Sequence, residues 1–180
     1  DELDTLDSAA MQFAKELNEL HKKMSADQSK LRFLAMYDEL TQLANRNNLN
    51  EYLHKSMIRM HRYNKPFGVI LIDLDEFRKV NDTQGHTVGD QLLQQVAERL
   101  LGLVRKKDFL CRFGGDEFVI VVDGVVHEAD ANITAEKVIA LFEEPFVVNS
   151  LKVFVSVSLG VTICNSAKIS VDEIIRQVDM

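Results

Sequence analysis

Over residues 1–36, apolar side chains fall at Leu3, Leu6, Ala10, Phe13, Leu17, Leu20, Met24, Leu31 and Leu34. The steps alternate between three and four, and Asp27 fills one expected apolar position. This is a heptad seam, and neither glycine nor proline interrupts it. At 1.5 Å per residue such a helix runs to about 50 Å. The seam is narrow and its flanks are charged at Lys15, Glu16, Glu19, Lys22 and Lys23. That combination predicts a parallel two-stranded coiled coil that dimerises the chain. The alternative is an amphipathic helix lying on its own domain. Asp27 would weaken a coiled-coil contact locally and mark a point where register shifts.

From Asp38 onward the pattern changes. DELTQLANR opens with a turn-like segment, and a helix is expected from about Arg46 to Tyr63, broken by Asn64, Pro66 and Gly68. The unbroken VILI of FGVILIDLDEF predicts a central strand buried on both faces. In DQLLQQVAERLLGLV, Leu92, Leu93, Val96, Leu100, Leu101 and Val104 keep a helical period. FLCRF and FVIVVD read as two strands around a GGDE turn. Residues 130–144 predict a helix ended near Pro145, and FVVNSLKVFVSVSLGVTI a hairpin followed by a long strand. SVDEIIRQV begins a last helix, with Ser170 as N-cap and Glu173 three residues later. The order is helix, strand, helix, strand, strand, helix, hairpin, helix. It implies an α/β sandwich with a largely antiparallel central sheet over residues 37–180, preceded by a stalk over 1–36.

The 180 residues suffice for one domain and an appendage, with 46% hydrophobic and 27% charged residues. The net charge of −7 argues against a general nucleic-acid-binding face, which must be basic. It leaves room for a nucleotide, because metal ions bridge carboxylates to phosphates. Cys111 and Cys164 lie in strand-like stretches without zinc spacing, as expected of buried thiols in a reducing, cytoplasmic compartment. No apolar run reaches membrane-spanning length and no signal peptide is evident, so this chain itself is expected to make no membrane contact. It begins at Asp1 rather than Met, which reads as a piece of a longer protein whose neighbours include a sensor or membrane anchor.

The candidate chemistry lies in carboxylates. Strand alternation puts Asp73 and Asp75 on one face if the chain stays extended. A carboxylate after four aliphatic residues is costly unless paired or bound to a cation. Asp116 and Glu117 leave the GGDE turn as the next strand starts. If the two strands are neighbours, Asp73 and Asp116 converge at one end of the sheet. Two carboxylates and a backbone carbonyl, completed by phosphate oxygens, suit magnesium. Gly114 and Gly115 would let a triphosphate approach the backbone. Taken singly, D-x-D is usually a solvated or capping pair, and GGDE is usually a hairpin turn. An EF-hand is excluded by Phe77 and Arg78, and neither a Walker loop nor a dinucleotide fingerprint is present.

Longer motifs decide between these readings. DELTQLANR is similar to D-x-L-T-x-L-x-N-R. DLDEFRKVNDTQGHTVGD is similar to D-[IL]-D-x-F-K-x-[IV]-N-D-x-x-G-H-x-x-G-D. RFGGDEF carries a full signature, and VSVSLGVT matches a [TV]-x-S-[IL]-G-[IV] strand. In this order they resemble the GGDEF family of diguanylate cyclases, over residues 38 to 180. The resemblance implies a palm-like cyclase fold and condensation of two GTP into the bacterial second messenger cyclic di-GMP, with loss of two pyrophosphates. Each of two facing chains would hold one GTP.

By motif position the resemblance assigns Asp73, Asp116 and the Leu74 carbonyl to metal. Glu117 is the companion carboxylate, for metal binding or deprotonation. The ion would be Mg²⁺, with Mn²⁺ as alternative. Asn81 and Asp90 would read guanine, and His86 lies in the same motif with an equally good structural reading. The backbone around Glu76 and Phe77 would meet phosphates. Arg78 stands where the family has lysine; it keeps the charge but alters the geometry of phosphate contact. The family's final helix carries a basic Y-x-A-K-x-x-G-R-like segment, and here the sequence stops at QVDM, consistent with truncation.

Arg105 and Asp108 match the family's R-x-x-D site for inhibition by cyclic di-GMP, and Arg59 would reach the bound product from another face. The competing function is a non-catalytic domain that binds GTP or cyclic di-GMP and regulates an attached partner, such as a phosphodiesterase domain. A nucleoside 3′,5′-cyclase is disfavoured by the signature.

Overall fold

In the computed structural model, residues 2–125, 127–165 and 169–178 are described. The chain divides into two compact units, Asp1–Met36 and Tyr37–Met180. The first is one helix, α1 (Glu2–Met36). Its described seam residues, from Leu6 to Leu34, are exposed, with Leu20 60% and Leu31 66% accessible. No helix among the described residues is long and apolar enough to cross a membrane.

In the second unit the VILI run forms the middle of β1 (Phe67–Leu74), where Asp73 alone is exposed. The other strands of its sheet are β2 (Phe109–Arg112), β3 (Glu117–Asp123) and β6 (Val157–Cys164), in the order β2-β3-β1-β6. All three pairings are antiparallel. Alternate residues of β1 and β3 enter two different cores. Ile70, Ile72, Leu74, Phe118 and Ile120 join the helices α4 (His86–Leu103) and α5 (Glu128–Leu141). Phe67, Val69, Leu71, Val119 and Val121 join α2 (Arg46–Tyr63) and α6 (Val171–Val178). Helices on both faces explain why β1 lacks hydrophobic alternation although its neighbours are antiparallel.

Local chemistry sets most boundaries. Asn45 caps α2 by accepting from the Asn48 N–H at 3.1 Å, and Asn64 ends it at φ 48°. The Ser170 hydroxyl accepts from the Glu173 N–H at 3.2 Å to start α6. β4 (Phe146–Val148) and β5 (Leu151–Val153) form a separate hairpin. Its turn residues, Asn149 and Ser150, both have positive φ, the geometry of a type I′ two-residue hairpin loop.

One element was not expected from the sequence. A short helix, α3 (Phe77–Gln84), follows β1 directly, and Gly85 at φ 90° separates it from α4. Only Phe77 of α3 is buried, too little apolar content to show a period. The helix α4 also starts at His86 rather than near Asp90, and α5 spans Glu128–Leu141 rather than 130–144.

Candidate functional site

Asp73 sits at the exposed end of β1, in register with Glu117 of β3 on one side and Ser158 of β6 on the other. The Leu74 N–H donates to the Asp116 carbonyl at 3.2 Å, holding the signature turn against the end of β1. Both turn amides, of Phe113 and Gly114, donate to the Glu117 carbonyl, at 2.8 and 3.3 Å. Asp73, Asp116 and Glu117 therefore lie at one rim of the sheet. Partial desolvation, then the negative charges of Asp116 and Asp75, push the Asp73 carboxyl above its ordinary range. Such repulsion is what a cation would relieve.

The donor set fits a particular kind of metal. Among the described residues no three His, Cys, Asp or Glu side chains gather to cage an ion. Magnesium seldom needs such a cage: it binds one or two carboxylates and keeps the rest of its octahedron for water and substrate phosphates. Asp73, Asp116 and the Leu74 carbonyl, with Glu117 adjacent, offer that partial shell.

The two glycines of the turn differ. A Cβ on Gly114 would collide with the Glu117 carboxylate, whereas one on Gly115 would meet only open space. Gly114 thus makes room for a side chain of this protein, and Gly115 leaves the turn open to a ligand. Arg112 fixes the turn from outside. Its Nη2 donates to the Gly115 carbonyl at 2.7 Å, and its Nη1 lies 3.1 and 3.0 Å from the two Asp38 oxygens. Burial works against ionising Asp38. Hydrogen bonds from the Thr41 hydroxyl and N–H and from Arg112 outweigh it, and hold the carboxyl below its ordinary range. Beside the turn, Asp38, Asn45, Arg46, Asn47, Arg112 and Phe113 line a cleft of about 370 Å³. The Arg46 guanidinium lies 4.6 Å from the centre of the Phe113 ring.

Asn81 on α3 and Asp90 on α4 are brought together through Gly89. The Asn81 carboxamide occupies the space a Cβ at 89 would need, with its Cγ 3.0 Å from that point. Asp90 is the next residue along α4, exposed, and His86 stands one turn back on the same side. Phe77, the first residue of α3, is buried, while Arg78 is exposed with Nε 3.8 Å from Asp82.

In the R-x-x-D turn, Asp108 accepts from the Arg105 N–H at 3.1 Å and from the Asp123 N–H at 3.3 Å, and Arg105 is exposed. Arg59 lies 3.6 Å from Asp123 and donates to Ser56 Oγ at 2.9 Å. Asp123 thus links Arg59 to Asp108. A cleft of about 350 Å³ opens here, lined in part by Arg59, Lys65, Lys107 and Asp123.

The sequence reading missed the Asp38–Arg112 pair and the serines Ser156 and Ser158, which bond Asp75. Both groups stand inside the quoted motifs, but nothing local says which side chains meet.

Residues 35–180 match the family described as diguanylate cyclase, GGDEF domain. The signaling protein YkoW of Bacillus subtilis is 39% identical over 150 residues, covering 82% of this chain and 18% of that protein. The bifunctional diguanylate cyclase/cyclic di-GMP phosphodiesterase MucR of Pseudomonas aeruginosa is 39% identical over 130 residues, 72% of this chain and 19% of its own length. The chain thus spans about a fifth of the curated relatives it matches. Among solved structures, a sensory box/GGDEF family protein from Caulobacter crescentus superposes with a TM-score of 0.73 at 34% identity, covering 81% of this chain and 94% of that one. Helices packed on both faces of an antiparallel sheet, the metal-suited rim beside the GGDEF turn and these likenesses agree: the chain belongs to the GGDEF domain family of diguanylate cyclases.

Proposed function

We propose that this chain is the catalytic part of a diguanylate cyclase, joining two GTP into cyclic di-GMP. The observation that carries the reading is the meeting of Asp73, Asp116 and Glu117 at one rim, beside the open backbone of Gly115. In the reaction the 3′-oxygen of one GTP bonds to the α-phosphorus of the other. The bond from that phosphorus to the bridging oxygen breaks and pyrophosphate leaves. In this reading Glu117, the companion carboxylate, binds metal or takes the hydroxyl proton. Mg²⁺, or Mn²⁺ in its stead, held by Asp73, the Leu74 carbonyl, Asp116 and Glu117, would neutralise phosphate charge and make the hydroxyl more acidic.

Asn81 and Asp90 match the donor and acceptor edges of guanine, with His86 at the same helix end. The amides at the start of α3, around Glu76 and Phe77, and the exposed Arg78 meet the phosphates. Each chain holds one GTP, so the reaction needs two chains face to face. Juxtaposing two substrates is worth up to about 7–11 kcal/mol in ideal cases.

The exposed seam of α1 supplies the second chain through a parallel coiled coil, and its geometry transmits a signal to the cyclase. Sedimentation of the intact protein as a monomer at high micromolar concentration would sink that part. The R-x-x-D turn, with Arg59 beyond Asp123, binds product and inhibits. The chain is assigned to the cytoplasm, where GTP is found.

The test is incubation of the intact protein with GTP and Mg²⁺, with the product identified by mass, beside an Asp116→Ala/Glu117→Ala control. Cyclic di-GMP from the wild type alone is expected. Equal product from the control would show that other residues carry the chemistry. The second reading, a regulatory nucleotide-binding domain, draws on MucR, whose name joins a cyclase to a phosphodiesterase. Tight nucleotide binding without product would favour it.

A further inference from the structure

The two aspartates of the DLD segment have different surroundings. Among the described residues no side chain donates to the Asp73 carboxylate, whereas both oxygens of Asp75 are taken. Ser156 Oγ donates to its Oδ2 and Ser158 Oγ to its Oδ1, each at 2.6 Å. The Asp75 N–H donates to the Ser156 carbonyl at 2.9 Å. This bond carries the β1–β6 ladder one step past its last pair, Leu74 with Val157. Hydrogen bonds of 2.6 Å to an ionised carboxylate are at the short, strong end of the range.

The segment held this way is under strain. One residue after Asp75 the chain reverses into α3 through Glu76, whose φ of 54° is left-handed, a region costly for a residue with a Cβ. A turn of that kind persists only where its surroundings over-determine it. The turn carries the Leu74 carbonyl immediately before Asp75 and the first amides of α3 immediately after it. Asp73, two residues earlier, faces Ser158 across the ladder.

We propose that Asp75 is a positioning residue: with Ser156 and Ser158 it clamps the β1–α3 turn and so sets the Leu74 carbonyl and the Asp73 carboxylate in the geometry a metal–nucleotide requires. The proposal rests on the cyclase reading for the role of that metal, but concerns only the aim of this chain's own ligands. It also separates two chemically identical side chains by task. Asp73, repelled by its neighbours, is the ligand; Asp75, saturated by hydroxyls, is the brace. Partners that aim metal ligands commonly change affinity ten- to hundred-fold when removed.

The test uses Mn²⁺ and a GTP analogue with a non-cleavable α,β-methylene bridge, with bound Mn²⁺ read by electron paramagnetic resonance and folding followed by thermal melting. Asp75→Ala and the double variant Ser156→Ala/Ser158→Ala should each weaken Mn²⁺–nucleotide binding ten- to hundred-fold. Ser158→Thr, which keeps the hydroxyl, should bind within about threefold of wild type. Where Asp75→Ala does not fold, the serine pair, which loses only two hydroxyls, carries the test. Affinity unchanged within twofold in the serine pair overturns the clamp, and so does a Ser158→Thr variant as weak as the alanine pair. A wild type that binds Mn²⁺–nucleotide with the expected variant losses, yet forms no cyclic di-GMP from GTP, overturns the cyclase reading and supports the clamp. A wild type that binds no Mn²⁺ overturns both.

Discussion

Asp38→Asn tests whether the entry motif and the signature turn are coupled by charge. Arg112 Nη1 lies 3.1 and 3.0 Å from the two Asp38 oxygens, while the Thr41 N–H and hydroxyl bond Oδ2 at 2.8 and 2.7 Å. The side chains are only 14% and 23% exposed, so solvent screens the pair weakly. Asparagine keeps one acceptor but turns its NH₂ toward either Arg112 or Thr41, both of which donate. The loss is that of a charged hydrogen bond plus a partly buried donor left unpaired, about 2–3 kcal/mol. In a domain of this size that lowers the melting temperature by roughly 5–10 °C.

The pH dependence has a definite sign. The folded-state pKa of Asp38 lies below the unfolded value of 3.8. Its contribution is therefore complete above that value and is lost as the pH falls through the folded-state pKa. Thermal melts of wild type and Asp38→Asn at neutral pH should differ by the full amount, and the gap should narrow as the pH falls below 3.8. A neutral-pH difference below about 0.5 kcal/mol, the typical range for a surface pair, would refute the coupling. So would a gap that stays constant into acid.

Gly89→Ala should drive the Asn81 carboxamide from its place and weaken GTP binding by about 1–3 kcal/mol, roughly 5- to 150-fold. Titration with a GTP analogue checks this, and unaltered affinity would separate Asn81 from base recognition. Burial pushes the Cys111 and Cys164 thiols up to about 12, so a thiol reagent at pH 8 should label neither until the protein is unfolded. Rapid labelling of the native protein would show that one of them is accessible. Arg105→Ala should relieve inhibition by cyclic di-GMP while leaving the initial rate intact, as assayed by product formation with added cyclic di-GMP. Inhibition that persists unaltered would remove the R-x-x-D turn from the regulatory scheme.

Several features were legible in the sequence because they are encoded locally. The bounds of α2 follow from Asn45 and Asn64, a capping side chain and a left-handed stop. The unbroken VILI run announced a strand covered on both faces, and that strand ends at Leu74, one residue short of Asp75. The glycine pair and the acids behind it marked the turn. Tertiary structure decided which of these residues meet. Asp38 and Arg112 are 74 positions apart, and Asp75 and Ser156 are 81. The sheet order β2-β3-β1-β6 lays the end of β1 beside the start of β6, and a bridge between Ala44 and Cys111 ties the Asp38 segment to β2. Within the turn itself the Glu117 carboxylate takes the space of a Gly114 side chain, and α3 is anchored by the burial of Phe77. A local pattern specifies period and conformation, because backbone sterics and burial act residue by residue. The aim of a carboxylate depends on which strand lies beside it, and only the folded chain determines that.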